Sequence, residues 1–275
     1  KINWDQLAES TATLVRFLDN VVTWNEDLNA LEKQRIAAAE TRRLGLGVMG
    51  IADMLNQLGI AYDSNEGLEL ISRIMEFITN AAYQSSALLA KEKSPSSIYK
   101  ESYMDCPFIQ EALSEETIKL IEIHGIRNIA IMSIAPTGSI SNIVLGYKLE
   151  DKNYIGVSGG VEPIFSTYYT RRSESFDNKF FKIFHSTIQA YIDKMGIQEK
   201  IDQADDIDTV LPDFMTRTAH KINSMRRVQI QGKIQKYIDH SISSTINLPE
   251  DVSPEVISDI YLMAWKNNLK GLTIY

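Results

Sequence analysis

Pro136, Thr137, Gly138 and Ser139 bring two hydroxyls and a glycine to the end of an apolar run. The run, Asn128–Ile134, carries Ile129, Ile131 and Ile134 and is dense enough for a strand buried on both faces. Pro136 ends it, because its ring fixes φ and removes a ladder donor. Ile140–Leu145 reads as the opening turns of a helix. A strand, a tight turn and a helix start gather free backbone N–H groups at one point, which suits a phosphate. Thr137 and Ser139 would add hydroxyl donors. The same residues also serve an ordinary strand-to-helix turn with Thr137 or Ser139 as N-cap. Taken alone they leave both readings open, and such caps are the commoner use.

Other chemistry is thinly represented. Cys106 is the only cysteine, which argues against a disulfide framework and fits a reducing compartment. His124, His185, His220 and His240 show no metal-ligand spacing, so no metal site is expected. GLGVMG, with Gly45, Gly47 and Gly50, matches a dinucleotide fingerprint in letters only, since a helix follows where a second strand and an acidic residue are needed. These glycines read instead as packing residues. With a net charge of -8 and pI near 5.1, general attraction to nucleic acid or an anionic membrane is not expected. There is no apolar stretch of transmembrane length and no signal-peptide pattern.

The elements that would position these residues follow from periodicity. Trp4–Val22 reads as an amphipathic helix on Leu7, Leu14, Val15, Leu18 and Val21 or Val22. Ala30–Arg43, Ile51–Leu58, Asn65–Lys93 and Ser114–Gly125 also read as helices, with Ser64 or Asn65 and Gly125 as caps. Leu44–Gly50 reads as a short buried strand, and Gly146–Gly160 as a long loop. Val161–Thr170 reads as extended. Helices are predicted over Asn178–Lys194, Asp213–Ala219, Arg226–Ser244 and Ser253–Leu269, with short strands at Thr245–Leu248 and Gly271–Tyr275. The order predicts an α/β fold with parallel strands covered by long helices. The start at Lys1 and the strand-like end at Tyr275 lead us to expect a fragment.

Five ordered segments carry a resemblance: RRLGLGVMGIADML, HGIRNIAIMSIAPTGSIS, GGVEPIF followed by YYTRR, QKYIDHSISSTINLPED and AWKNNLKGLTIY. Together, from about Trp4 to Tyr275, they resemble the catalytic large subunit of ribonucleotide reductase, in wording closest to its adenosylcobalamin-dependent class. The resemblance implies the second half of a ten-stranded α/β barrel, residues 1–275 forming a single half-barrel domain that begins after the finger loop. The family's finger-loop cysteine is absent, so no catalytic residue is assigned here, and Cys106 reads as a small semi-buried residue.

What the resemblance implies for this half is the substrate-phosphate loop, Pro136, Thr137, Gly138, Ser139, Ile140 and Ser141, and it tips the balance from cap to phosphate. Gly159, Gly160, Glu162 and Asn247 are implied as pocket lining, Arg171 and Arg172 as weaker phosphate-steering candidates, and Tyr275 as a buried strand-end residue. The implied cofactor is adenosylcobalamin, or alternatively a separate metal-containing radical-generating subunit. Implied partners are the upstream half carrying the cysteine, a ribonucleotide, thioredoxin or a similar dithiol, and a second subunit in a dimer, in the cytoplasm. A phosphate-binding or assembly fragment without catalysis of its own is the alternative function.

Overall fold

The computed structural model describes residues 1–173 and 179–275. Helices in chain order are α1 (Trp4–Asn25), α2 (Glu32–Thr41), α3 (Ile51–Leu58), α4 (Asn65–Lys93), α5 (Pro107–Ala112), α6 (Glu115–His124), α7 (Ser186–Met195), α8 (Gln198–Gln203), α9 (Ser224–Gln235) and α10 (Pro254–Lys266). The strands are β1 (Leu145–Leu149), β2 (Lys152–Ile155), β3 (Tyr168–Ser173), β4 (Lys179–Phe184), β5 (Thr245–Ile246) and β6 (Thr273–Ile274). Several helix ends follow caps legible in the sequence. The Ser64 hydroxyl accepts from Gly67 N–H at 2.9 Å before α4 gets under way. Ser114 accepts from Thr117 N–H, and Gly125 closes α6 on Ile121 O at 2.7 Å.

The chain divides into two compact units. One comprises Lys1–Gly47, Leu70–Ile134 and Gly232–Ile242. Here the run ending at Ile134 is extended and pairs in parallel at Leu46↔Met132 and Ile134↔Ile242. Leu44 N–H and Leu46 N–H donate to Ala130 O and Ile131 O, and Ser133 N–H returns to Leu46 O. Gly47 has to be glycine at this approach, because a Cβ there would lie 2.2 Å from Ser133 O. The Asp239 carboxylate accepts the N–H groups of Ile131 at 2.7 Å and Met132 at 2.9 Å, groups that no neighbouring strand serves. α9 stops at Gln235, short of the helix expected to reach Ser244, and the Gln235 amide donates to Ile238 O at 2.9 Å and His240 O at 3.2 Å beyond that end.

Packing in this unit keeps most of the stripe expected on α1: Val15 is buried and Leu7, Leu18 and Val22 are half-buried, whereas Leu14 and Val21 are exposed, as are Phe17 and Trp24, the last by 77%. Thr11 and Asp19 are buried as well. Fully buried, Asp19 accepts from Arg42 Nε at 2.8 Å and Asn128 Nδ2 at 3.1 Å, with Arg127 Nε 3.4 Å away. Asn128 in turn is held by Ser86 Oγ at 2.8 Å and donates to Arg42 O at 2.9 Å. A charge taken out of water is tolerated only with such partners.

The other unit comprises Val48–Glu69, Ala135–Gln231 and Ser243–Tyr275. Its sheets are two antiparallel hairpins, β1–β2 and β3–β4, and the parallel pair β5–β6. This departs from several expectations. Ile140–Leu145 does not open a helix: a single 3₁₀ turn covers Ile140–Asn142, and β1 follows. Gly146–Gly160 is largely the β1–β2 hairpin, turned at Glu150 with φ 51°. The helix expected from Asn178 (itself outside the described residues) is β4 and then α7. KFFKIF is aromatic and β-branched, and cross-strand contacts such as Tyr168–Phe184, 5.7 Å between ring centroids, favour pairing over helix. Asp213–Ala219 makes only a 3₁₀ turn at Asp213–Met215. Tyr275 pairs through its backbone with Ile246 and Leu248, yet its ring is 83% exposed. Cys106 is exposed as well. α7 and α8 pack through Ile188, Ile192 and Ile201, while α10 lays Ile260 and Ala264 on Val228 and Ile246.

Replacing Asp19 with alanine takes the buried carboxylate away from Arg42 Nε, leaving the guanidinium to Glu26 and Thr23. Stability should fall by about 3–5 kcal/mol, read as a lower urea midpoint at pH 7 than that of the parent. A loss below about 1 kcal/mol would mean that this cluster is solvated.

Candidate functional site

After Ile134 the chain leaves its ladder and Pro136 turns it. Thr137 takes a left-handed φ of 53°, a conformation that a β-branched residue adopts only when held there. Two bonds hold it: its carbonyl accepts from Ser141 N–H at 2.9 Å, and its hydroxyl accepts from Gly160 N–H at 2.8 Å. Gly159 lies directly against the turn, since a Cβ there would meet Pro136 O at 2.6 Å. The two segments singled out from sequence, 136–141 and 159–160, are therefore built as one object.

Neither hydroxyl caps a helix. Ser139 makes no capping bond, and the Thr137 hydroxyl is engaged by Gly160. Among the described residues, the backbone N–H groups of Gly138, Ser139 and Ile140 have no acceptor. Gly138 requires no special φ, and a Cβ built on it meets nothing within 4 Å. No neighbour in the chain demands a glycine there. The donors are the loop amides, and one 3₁₀ turn supplies little of the helix dipole expected from the sequence.

This turn forms one wall of an open cleft of about 450 Å³. Pro136, Gly138, Ser141, Gly159, Glu162 and Asn247 all line it. Gly160 supports it through Thr137, while Ser139 and Ile140 are exposed beside it. Arg171 is exposed on β3 and is not among the lining residues, and the side chain of Arg172 lies outside the described ones.

The structure adds residues that sequence reasoning missed. Asp53 on α3, only 2% exposed, accepts from Ser158 N–H, His185 Nε2 and Thr187 Oγ1, each at 2.6 Å. Ser158 and His185 line the cleft, so one buried carboxylate fixes two points of its wall. Burial pushes the Asp53 carboxyl up, but the bonds and charge of His185, with those from Ser158 and Thr187, bring it below the usual carboxylate range. His185 lies 132 residues from Asp53, and no local pattern announces the pair.

Glu162 is held differently. Thr245 N–H reaches one oxygen at 2.8 Å and Arg227 the other at 2.5 Å. Arg227 also donates to Tyr62 Oη at 2.5 Å and Ser244 Oγ at 3.0 Å. Burial raises the Glu162 carboxyl above its ordinary value despite the guanidinium and the Thr245 N–H, and burial also pushes the Tyr62 hydroxyl up to about 12. The net direction at Glu162 shows desolvation outweighing the ion pair. Asn247 keeps its side-chain amide unbonded among the described residues at the cleft edge. Among the described residues no group of three or more His, Cys, Asp or Glu could hold a metal ion, and no helix is long and apolar enough to cross a membrane.

Comparison with known proteins gives a consistent result. The family described as ribonucleotide reductase, barrel domain, matches residues 1–275. A vitamin B12-dependent ribonucleoside-diphosphate reductase of Thermoplasma acidophilum is 31% identical over 287 residues, covering 100% of this chain and 33% of that protein. The protein of the same name from Mycobacterium tuberculosis (strain CDC 1551 / Oshkosh) is 29% identical, with 37% of it covered. A ribonucleoside-diphosphate reductase subunit alpha of Chlamydia muridarum is 30% identical over 97% of the chain and 27% of its own length. Among solved structures, the Actinobacillus ureae class Id ribonucleotide reductase alpha subunit superposes with a TM-score of 0.71 at 23% identity, over 97% of this chain and 46% of that one. The chain thus spans about a third of the length of the curated relatives it matches.

Because the Asp53 carboxyl is held below its unfolded value of about 3.9, its stabilisation is present above about pH 4 and is lost as pH falls through the folded value. Asp53→Asn should cost roughly 1–3 kcal/mol at pH 7, and the gap from the parent should close towards pH 3. Urea titrations at both pH values test this, and a gap independent of pH would show that the carboxylate charge is not what holds the wall.

Proposed function

Since this chain belongs to the ribonucleotide reductase family by its barrel domain, we propose that it supplies the substrate-phosphate site of an enzyme converting ribonucleotides to deoxyribonucleotides by radical chemistry. The observation that carries this reading is the 136–141 turn, with three unbonded amides around a glycine that nothing inside the chain requires. An anion over Gly138 would receive those N–H groups, charge-assisted bonds being about twice as strong as neutral ones. The Thr137 hydroxyl, while accepting from Gly160, still has its own proton to donate. Ser141, buried and lining the cleft, offers a second hydroxyl.

Binding phosphates at this turn would fix the ribose along the cleft, where Glu162 and Asn247 offer polar contacts. Remote binding energy of this kind serves orientation of the reacting sugar. Glu162, with its carboxyl raised by burial, is able to present a proton or accept a hydroxyl, and Arg227 keeps it in place.

We read residues 1–275 as one domain, the second half of a ten-stranded barrel. The parallel pairings at Leu46↔Met132, Ile134↔Ile242 and β5–β6 are of the kind such a half requires. The proposed partners are an upstream half carrying the radical cysteine, a dithiol reductant and a second subunit, in the cytoplasm. Adenosylcobalamin, named in the Thermoplasma and Mycobacterium relatives as vitamin B12, is the proposed radical source, with a separate metal-containing subunit as the alternative.

Gly138→Val projects a side chain into the open space over the turn, where a Cβ meets nothing within 4 Å. It should leave the unfolding midpoint unchanged and weaken a ribonucleoside diphosphate by about 10–100-fold, the loss expected for one or two charge-assisted bonds. Calorimetric titration with the diphosphate and with the bare nucleoside checks it, the nucleoside serving as the phosphate-free control. Equal affinity of the two ligands for the parent would sink the phosphate reading. With the upstream half, adenosylcobalamin and a dithiol added, deoxynucleotide should form in the parent mixture and be lost with Gly138→Val.

A further inference from the structure

A second pocket, of about 280 Å³, shares no lining residue with the cleft. Its walls include Asn56 near the end of α3, Tyr147 on β1, Tyr191 and Lys194 on α7, and Phe214 and Met215 on the turn after Pro212. Asn56 is 6% exposed, yet its side-chain amide has no hydrogen bond among the described residues. Its neighbour Gln57, on the same wall, spends its amide on Gly146 O at 3.0 Å. Its amide atoms are not sealed from solvent but open onto the pocket, where they have no partner among the described residues. The Asn56 amide therefore offers a donor and an acceptor side by side to whatever enters.

The rest of the wall narrows the chemistry. Three aromatic rings, Tyr147, Tyr191 and Phe214, with Met215, present flat polarisable surface suited to a planar ring. Lys194 stands exposed at the rim with no ion pair among the described residues. Its sequence neighbour Asp193 is already taken by Lys152, by Tyr154 Oη at 2.6 Å and by Gln189 Nε2 at 2.8 Å. A cation at the mouth with no ion pair among the described residues, rings along the side and an unpartnered amide in the wall match a planar heteroaromatic carrying an anionic group.

We propose that this pocket is a nucleoside-monophosphate site, separate from the cleft, with the base edge on the Asn56 amide, its faces against the rings and the phosphate at Lys194. An amide paired with a base edge is a recurrent recognition geometry, and stacking on aromatic side chains tolerates any base.

The test is AMP titrated onto the Gly138→Val protein, so that the cleft does not contribute. One equivalent of AMP should bind. Asn56→Leu should weaken it about tenfold, and Lys194→Gln should weaken AMP severalfold while leaving adenosine unchanged. Lys194 is on the surface, so that variant stays informative even if Asn56→Leu proves unstable by circular dichroism. No AMP binding at millimolar concentration, or full retention of affinity in both variants, would overturn the proposal. AMP binding to the parent that vanishes in Gly138→Val would likewise overturn it, by placing the nucleotide in the cleft. Failure of the phosphate reading would appear instead in the diphosphate-against-nucleoside comparison, which this pocket does not decide.

Discussion

The cleft depends on one buried negative charge. Asp53 projects from a short helix into a place with almost no access to water, and it is tolerable there only because three donors converge on it. Those donors come from two stretches: the loop at Ser158, and the start of α7, where His185 precedes the helix and Thr187 lies in its first turn. Fixing the carboxylate thus fixes the His185 wall and the Ser158–Gly160 segment. Gly160 in turn holds the strained Thr137. A chain of hydrogen bonds runs from α3 to the amides of the turn, and each link is short-range and geometrically demanding.

Glu162 and Arg227 show the same economy with the opposite outcome. There the guanidinium is shared among a carboxylate, a phenol and a hydroxyl, so no single partner receives its full charge. The carboxylate, about a quarter exposed at the cleft wall, is only partly hydrated, and burial holds its proton more tightly than in water. Two acidic residues of one unit are thereby driven in opposite directions by their surroundings.

How much of this was legible in the sequence differs by feature. Pro136 to Ser141 could be picked out because proline, glycine and hydroxyl residues carry strong local geometry, whereas Gly159–Gly160 were implied only by the family resemblance; the structure brings the two segments together. Amphipathic helices with clear caps, such as α4 and α6, were also readable. The failures were of two kinds. Ile140–Leu145 and KFFKIF were read by short-range apolar pattern, which does not separate helix from strand, and cross-strand partners decided the outcome. Asp53, His185, Arg227 and Asp19 were invisible because their roles arise from partners many tens of residues away. For α1 the period and most of the inward stripe were right, with Val15 buried and Leu7, Leu18 and Val22 half-buried, while the buried Asp19–Arg42 pair on that face was not legible.

The outward face of α1 leaves an optical signature. Trp24 and Trp265, 77% and 74% exposed, are indoles in water, whereas Trp4 is packed edge-on against Phe77 with the Arg73 guanidinium over its ring. The protein contains three tryptophans, so its intrinsic emission mixes two solvated fluorophores with one sheltered one. A collisional quencher dissolved in the buffer therefore reaches the first two far more readily than the third. Anything that comes to cover the outer face of α1 or of α10 would shift the emission to shorter wavelength and protect it from quenching, which makes these faces self-reporting without an added label.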